Sequence, residues 1–384
     1  MSRTTTAQDR PELQKVIQEV VDAGFTGVTL HVHDKEGAWS GSAGVRELGG
    51  TERPPLDGHV RIGSNTKTFT AALVLLLVAE GRITLDDPVA DHLPELGADP
   101  RITVRMLLQH TSGIFNFTGE YFEDGTHVPG LPATTSGKEW VDGRFTTRRP
   151  EELARYALAK KPRFEPGADW SYSNTNYVLA RLVVERVTGN PLPEEMRRLI
   201  LEPLGLTGTS LPETGPEIPE PHAHAYYRYE EDGVTRTVDV TRQNPSWIST
   251  GGDMISTGQD LHTFISALLG GRLLPAPLLA EMCDPHPKAG YGLGVFVQPL
   301  GDGGGTVVTH NGGMAGHGAL MYSTPDGSKT LTATLNYVDD AALSLAAAFQ
   351  QAVQSLVEVV FGNGQDAVAD VSADDAADGT GASR

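Results

Sequence analysis

Strand-like alternation occurs at both ends of this chain, and helical spacing fills the middle. Thr26 to Asp34 alternates as a half-buried strand, and Ala38 to Val45 follows the turn-forming Lys35-Glu36-Gly37, which predicts a hairpin. Leu13, Val16, Ile17, Val20 and Val21 recur at helical spacing before it. From Gly63 to about Pro285 the pattern is helical, over 64–80, 104–110, 150–161, 174–188, 194–201 and 259–269, with Gly and Pro punctuation between. Strand signals return at Gly292–Gln298, Thr306–His310, Gly318–Ser323 and Leu331–Tyr337, and a helix is predicted over Ala341–Val360. A sheet whose strands come from both ends must have the middle inserted into it. The expectation is an α+β fold: an antiparallel sheet domain from 1–62 and 286–362, flanked by N- and C-terminal helices, with an all-helical lobe at 63–285.

Composition narrows the function. At 384 residues the chain can bury a large core. A formal charge of −19 disfavours a phosphate backbone as partner, so nucleic acid is not expected. The single cysteine, Cys283, cannot form an internal disulfide, Met1 to Arg10 has no apolar export core, and no stretch approaches a membrane span; these features predict a cytoplasmic protein. Residues 363–384, with five Asp and one Arg among Ala, Gly and Ser, have too little apolar surface to offset ordering and are expected to be a disordered acidic tail. The Gly- and Thr-rich stretch from Gly113 to Arg144 reads as a long connection placed to cover a pocket.

Where the strand-like approach Val60-Arg61-Ile62-Gly63 runs into the long apolar helix from Thr68 to Glu80 stands Ser64-Asn65-Thr66-Lys67. Residues three apart on a helix are neighbours, so Lys67 falls beside Ser64, and the helix N-terminus favours negative charge at the serine. The bland alternative is a serine N-cap followed by a surface lysine. Two further motifs, Tyr172-Ser173-Asn174 and His310-Asn311-Gly312, weigh against it.

Ser-x-x-Lys, Tyr-x-Asn and His-x-Gly in this order resemble the serine β-lactamase and penicillin-binding family, in its class C and D-Ala-D-Ala carboxypeptidase branch. The segments Arg101–Gly113, Phe164-Glu165-Pro166-Gly167, Gly251–Thr257 and Tyr291-Gly292-Leu293-Gly294 are similar to that family's connections. The resemblance runs from about Leu30 to Gly362. It implies a serine acyl-enzyme catalyst that needs no metal or cofactor, with Ser64 as nucleophile, Lys67 and Tyr172 handling its proton, and His310 supporting the Tyr172 phenolate or the leaving group. Asn174, Asn311 and Gly312 would bind substrate, and the backbone N–H groups of Ser64 and Gly313 would form the oxyanion hole. For Lys67 to serve as base at neutral pH, its ordinary pKa near 10.4 must come down by about 3, a differential interaction of about 4 kcal/mol.

The departures from that family are informative. Its carboxypeptidases carry Thr or Ser after the motif histidine and an arginine after Tyr-Gly-Leu-Gly; here Asn311 and Val295-Phe296-Val297-Gln298 occupy those places. Apolar side chains do not replace an arginine fork to a carboxylate. The expected substrate is therefore a small neutral ester or amide, with water or an amine as acyl acceptor, as in natural-product synthesis. The alternatives are a D-Ala-D-Ala carboxypeptidase or β-lactamase, and a non-catalytic binding protein. His31-Val32-His33 and His222-Ala223-His224 lack the further ligands of a zinc set. His110-Thr111-Ser112-Gly113 is similar to the family's structural helix end, and no chemistry is assigned to it.

Overall fold

The computed structural model describes residues 10–122, 126–131, 137–301 and 304–362; the expected acidic tail lies outside them. Six antiparallel strands, β1 (Gly27–Asp34), β2 (Gly37–Gly44), β3 (Phe296–Pro299), β4 (Thr306–Met314), β5 (His317–Ser323) and β6 (Thr330–Asn336), form one sheet in the order β2-β1-β6-β5-β4-β3. First and last parts of the chain thus pair directly, with Leu30 opposite Ala333. The period of two divides the sheet's residues between two faces. On one face Leu30, Leu320 and Leu331 pack with Leu13, Ile17, Leu356 and Val360 of the helices Pro11–Asp22 and Ala346–Phe361.

On the other face Val308, Ala319 and Met321 meet the helical part of the chain. At its centre is Asn65–Ala79, which is buried on nearly every side, as a helix without a polar stripe must be. Phe69 of this helix stacks on Phe264 of Gly258–Leu269 at 3.6 Å between ring centroids. Among the described residues no helix is long and apolar enough to cross a membrane.

Further strand pairs lie outside this sheet, and of the four strands in the two pairs that follow only the approach Val60-Arg61-Ile62-Gly63 reads as strand-like from the sequence. His59–Arg61 pairs with Ile255–Thr257, and Tyr226–Glu231 pairs with Val234–Asp239. The second pair turns at Asp232-Gly233, both with positive φ (52° and 75°), which is the Asp-Gly hairpin signal. Its side chains alternate weakly because much of the hairpin is exposed. Val338–Asp340 joins Tyr226–Glu231 in parallel, so the last helix starts at Ala346 rather than Ala341.

One crossing sets the position of everything downstream. The Ile62-Gly63-Ser64 turn lies directly on Gly312-Gly313 of β4: a Cβ on Gly312 would stand 2.2 Å from the Ile62 carbonyl oxygen and 2.4 Å from the Ser64 nitrogen. Gly63 has φ 50° and would meet Gly313 nitrogen at 2.3 Å. All of these contacts are backbone, which cannot rotate aside. Gly312→Ala is therefore expected to cost about 2 kcal/mol or more and to lower the thermal midpoint, because overpacking here has no side-chain escape; Gly143→Ala, where the backbone is not left-handed and a Cβ meets nothing within 4 Å, serves as the control in the same melt.

Candidate active site

Ser64 stands at the N-terminus of Asn65–Ala79, yet its side chain makes no capping hydrogen bond. The turn is held instead by its neighbour: the Asn65 amide donates to the carbonyls of Ile62 (2.9 Å) and Ala319 (3.0 Å). The serine hydroxyl is left for two other groups. Lys67 Nζ lies 2.9 Å from Ser64 Oγ, and Tyr172 Oη lies 2.8 Å from the same atom.

Lys67 is fully buried, one turn along the helix. Its ammonium also donates to Asn174 Oδ1 and to the Gly251 carbonyl, each at 2.7 Å. Both are acceptors only, so two of its hydrogens are committed in either protonation state. The remaining tetrahedral position, a hydrogen when charged and a lone pair when neutral, faces Ser64 Oγ. Nζ also lies 4.5 Å from the centroid of the Tyr172 ring and 5.7 Å from that of Tyr177.

Asn174 is oriented by contacts of its own, with Nδ2 donating to Thr118 Oγ1 (3.3 Å) and the backbone nitrogen to Asn116 Oδ1 (3.0 Å). Gly251 was not singled out from the sequence, because a carbonyl acceptor has no side-chain signature. A Cβ there would approach Asn174 Oδ1 to 2.9 Å, so glycine lets the two acceptors share Lys67.

His310 is buried on the same face of β4 as Gly312. Its Nδ1–H donates to the Asn311 carbonyl at 2.8 Å, and Nε2 accepts from the Tyr291 hydroxyl at 3.1 Å. Burial first, and the charge of Lys67 second, push its pKa down to about 3. It is therefore a neutral wall group whose contact runs to Tyr291 instead of the expected Tyr172. Phe296, within the Val295-Phe296-Val297-Gln298 stretch where the resemblance would put an arginine, stands 5.5 Å from the His310 ring.

Asn311 is not brought to this group. As the neighbour of His310 on a strand it points to the opposite face, beside Leu320, and its amide donates to Tyr322 Oη at 2.8 Å. This placement does not support the expected substrate-binding role of its side chain. Gly312 and Gly313 do lie against Gly63-Ser64, which gathers the Ser64 and Gly313 backbones at one crossing. The other histidine pairs lie elsewhere: His33 stacks on His262 at 3.4 Å, and His224 Nδ1 lies 2.6 Å from Asp239. Cys283 is half-buried, and burial pushes its thiol up to about 11.

A family model described as Beta-lactamase matches residues 13–356. The chain belongs to the Beta-lactamase family. Within it, penicillin-binding protein 4* of Bacillus subtilis is 26% identical over 359 residues, covering 89% of this chain and 74% of the relative. A putative penicillin-binding protein, PbpX, from the same organism is 25% identical over 74% of this chain; the chain spans 66% of PbpX and 37% of protein flp of Staphylococcus aureus. Among solved structures, a D-stereospecific amidohydrolase from Streptomyces sp. is 37% identical with a TM-score of 0.78, covering 92% of this chain and 99% of the other. The D-amino acid amidase of Ochrobactrum anthropi SV3, solved with L-phenylalanine amide, is 25% identical with a TM-score of 0.75, covering 91% and 98%.

Buried titratable groups give this Beta-lactamase-family fold a pH signature. Burial holds His310 and His317 at about 3 and His262 at about 4, whereas an unfolded chain's imidazoles take up protons near 6.5. Their stability is complete above about pH 6.5 and is lost as pH falls toward those values. Asp253, raised to about 6, and Asp339, raised to about 7, act oppositely: their contribution is present below the ordinary carboxyl pKa and lost as pH rises through 6 to 7. Buried histidines outnumber them, so the thermal midpoint is expected to fall from pH 7 to pH 4.5; a flat or rising profile would contradict this assignment.

Proposed function

We propose that this protein is a serine acyl-enzyme hydrolase that opens small neutral amides or esters and passes the acyl group from Ser64 to water or an amine. The observation that carries the reading is a serine hydroxyl that caps nothing and lies 2.9 Å from a lysine whose other two bonds are fixed. Ser64 Oγ gives its proton to neutral Lys67 as it attacks the carbonyl carbon. The oxyanion forms against the N–H groups of Ser64 and Gly313. Tyr172, 2.8 Å from Ser64 Oγ, relays the proton to the leaving nitrogen or oxygen. The acyl-Ser64 ester is then cleaved by water or an amine, with the same groups working in reverse.

The D-stereospecific amidohydrolase likeness, at 37% identity over nearly its full length, supports an amide of a D-amino acid as the acyl donor. The apolar Phe296 beside His310 and the turned-away Asn311 support a neutral group where a carboxypeptidase would hold a carboxylate. Transfer to an amine, and with it a place in natural-product synthesis, is the finer form of the same proposal.

The test compares hydrolysis of matched D- and L-amino acid amides by the wild type and by Ser64→Ala. The expected result is turnover that favours the D-amide and falls at least about 10³-fold in Ser64→Ala with an unchanged circular dichroism spectrum. Equal turnover by the folded Ser64→Ala variant would remove the acyl-enzyme proposal. Equal rates on both enantiomers would remove only the stereochemical part.

A further inference from the structure

His110 is a residue of unusual construction. It ends the helix Val104–Gln109 with φ 63°, a left-handed conformation uncommon for a non-glycine residue, and it is completely buried. A helix end of this geometry calls for Gly or Asn. Something other than helix termination requires the ring.

Its contacts bracket Tyr172. The His110 carbonyl accepts from the Ser171 N–H at 3.0 Å, and Nδ1 accepts from the Ser173 N–H at 3.2 Å. The residues immediately before and after the tyrosine are thus tied to one histidine. Between these ties, the His110 ring lies against the Tyr172 ring at 4.3 Å between centroids, tilted by 39°.

The tautomer follows from the surroundings. Ser112 Oγ donates to Asn176 Oδ1 at 2.6 Å, which turns the Asn176 amide nitrogen toward His110 Nδ1 at 3.0 Å. Nδ1 faces two N–H donors and must be the unprotonated nitrogen. The hydrogen is on Nε2, which is buried without a hydrogen-bond partner among the rings of Tyr172, Tyr177, Tyr291 and Trp170. Protonating Nδ1 would set it against both donors, and burial with the nearby charge of Lys67 holds the pKa well below the ordinary value.

We propose that His110 is a positioning residue for the acyl-transfer reaction: as an obligately neutral imidazole it fixes the Tyr172 hydroxyl at Ser64 through the Nδ1 tie to Ser173 and the ring contact. This rests on the hydrolase reading above. It assigns a role to a motif that reads from the sequence only as a structural helix end, and it makes the left-handed backbone at His110 part of the site's geometry.

The inference separates two polar replacements. Asparagine accepts the left-handed conformation and places Oδ1 where Nδ1 stands, so it restores the tie to Ser173. Glutamine is longer by one methylene and does not present an acceptor at that point. The experiment measures the rate of covalent labelling of Ser64 by a fluorophosphonate, together with kcat and KM for an amide substrate, in the wild type, His110→Asn and His110→Gln, alongside their thermal midpoints.

The expected result is labelling and kcat about 10- to 100-fold lower in H110Q, within about fivefold of wild type in H110N, and KM within about threefold in both. Equal labelling of H110Q and wild type would overturn the inference and leave the hydrolase reading standing. So would an equal loss in both variants that tracks their thermal midpoints, since that is what a purely structural role gives. Absence of labelling in the wild type would overturn the hydrolase reading, and the inference with it.

Discussion

The geometry of this site depends on how a buried ammonium distributes its hydrogen bonds. A lysine side chain enclosed by protein must have all its donors matched, or the burial is too expensive to persist. Lys67 meets that demand with two carbonyl-type acceptors and one hydroxyl. Because Asn174 Oδ1 and the Gly251 carbonyl can only accept, those two bonds take hydrogens of Lys67 in either protonation state, and a further bond points at Ser64. The same matching that makes the charge tolerable when Lys67 is protonated aims its lone pair when it is not.

The rest of the molecule can be understood as support for that placement. The glycine crossing at Gly63 and Gly312-Gly313 fixes Ser64 against the sheet. The neutral histidines His110 and His310 enclose the lysine without adding a second positive charge, and burial and Lys67 together keep both unprotonated. Tyr177, whose burial pushes its pKa up, remains a neutral phenol whose hydroxyl donates to the Leu108 carbonyl. Among the described residues the site is thus a buried ammonium in an aromatic and amide enclosure, with Ser64 and Tyr172 half-buried beside it.

Much of this was legible in the residues because it rests on short-range spacing. Ser64 and Lys67 are one helical turn apart, so their meeting needs no tertiary information, and the two-ended strand pattern implied the sheet that carries His310. What was not legible depends on backbone. Gly251 contributes a carbonyl, which every residue has. The hairpin Tyr226–Asp239 is mostly exposed and alternates weakly, although Asp232-Gly233 marked its turn. Where Asn311 points was not legible either, because the motif was read as a unit: on a strand, neighbours face opposite sides, and the Asn311 side chain lies on the face opposite His310, bonded to Tyr322. His110 was passed over because a histidine at a helix end looks structural until its backbone conformation and both nitrogens are accounted for.

The most direct test of the central claim is intact-protein mass spectrometry during turnover of an activated neutral amino acid ester, with the adduct located by peptide sequencing. The account predicts a mass increase equal to the acyl group, located on Ser64, absent in Ser64→Ala and discharged by water or added amine. Turnover of the ester with the acyl group on another residue, or with a Lys67→Ala variant that acylates at the wild-type rate, would contradict it.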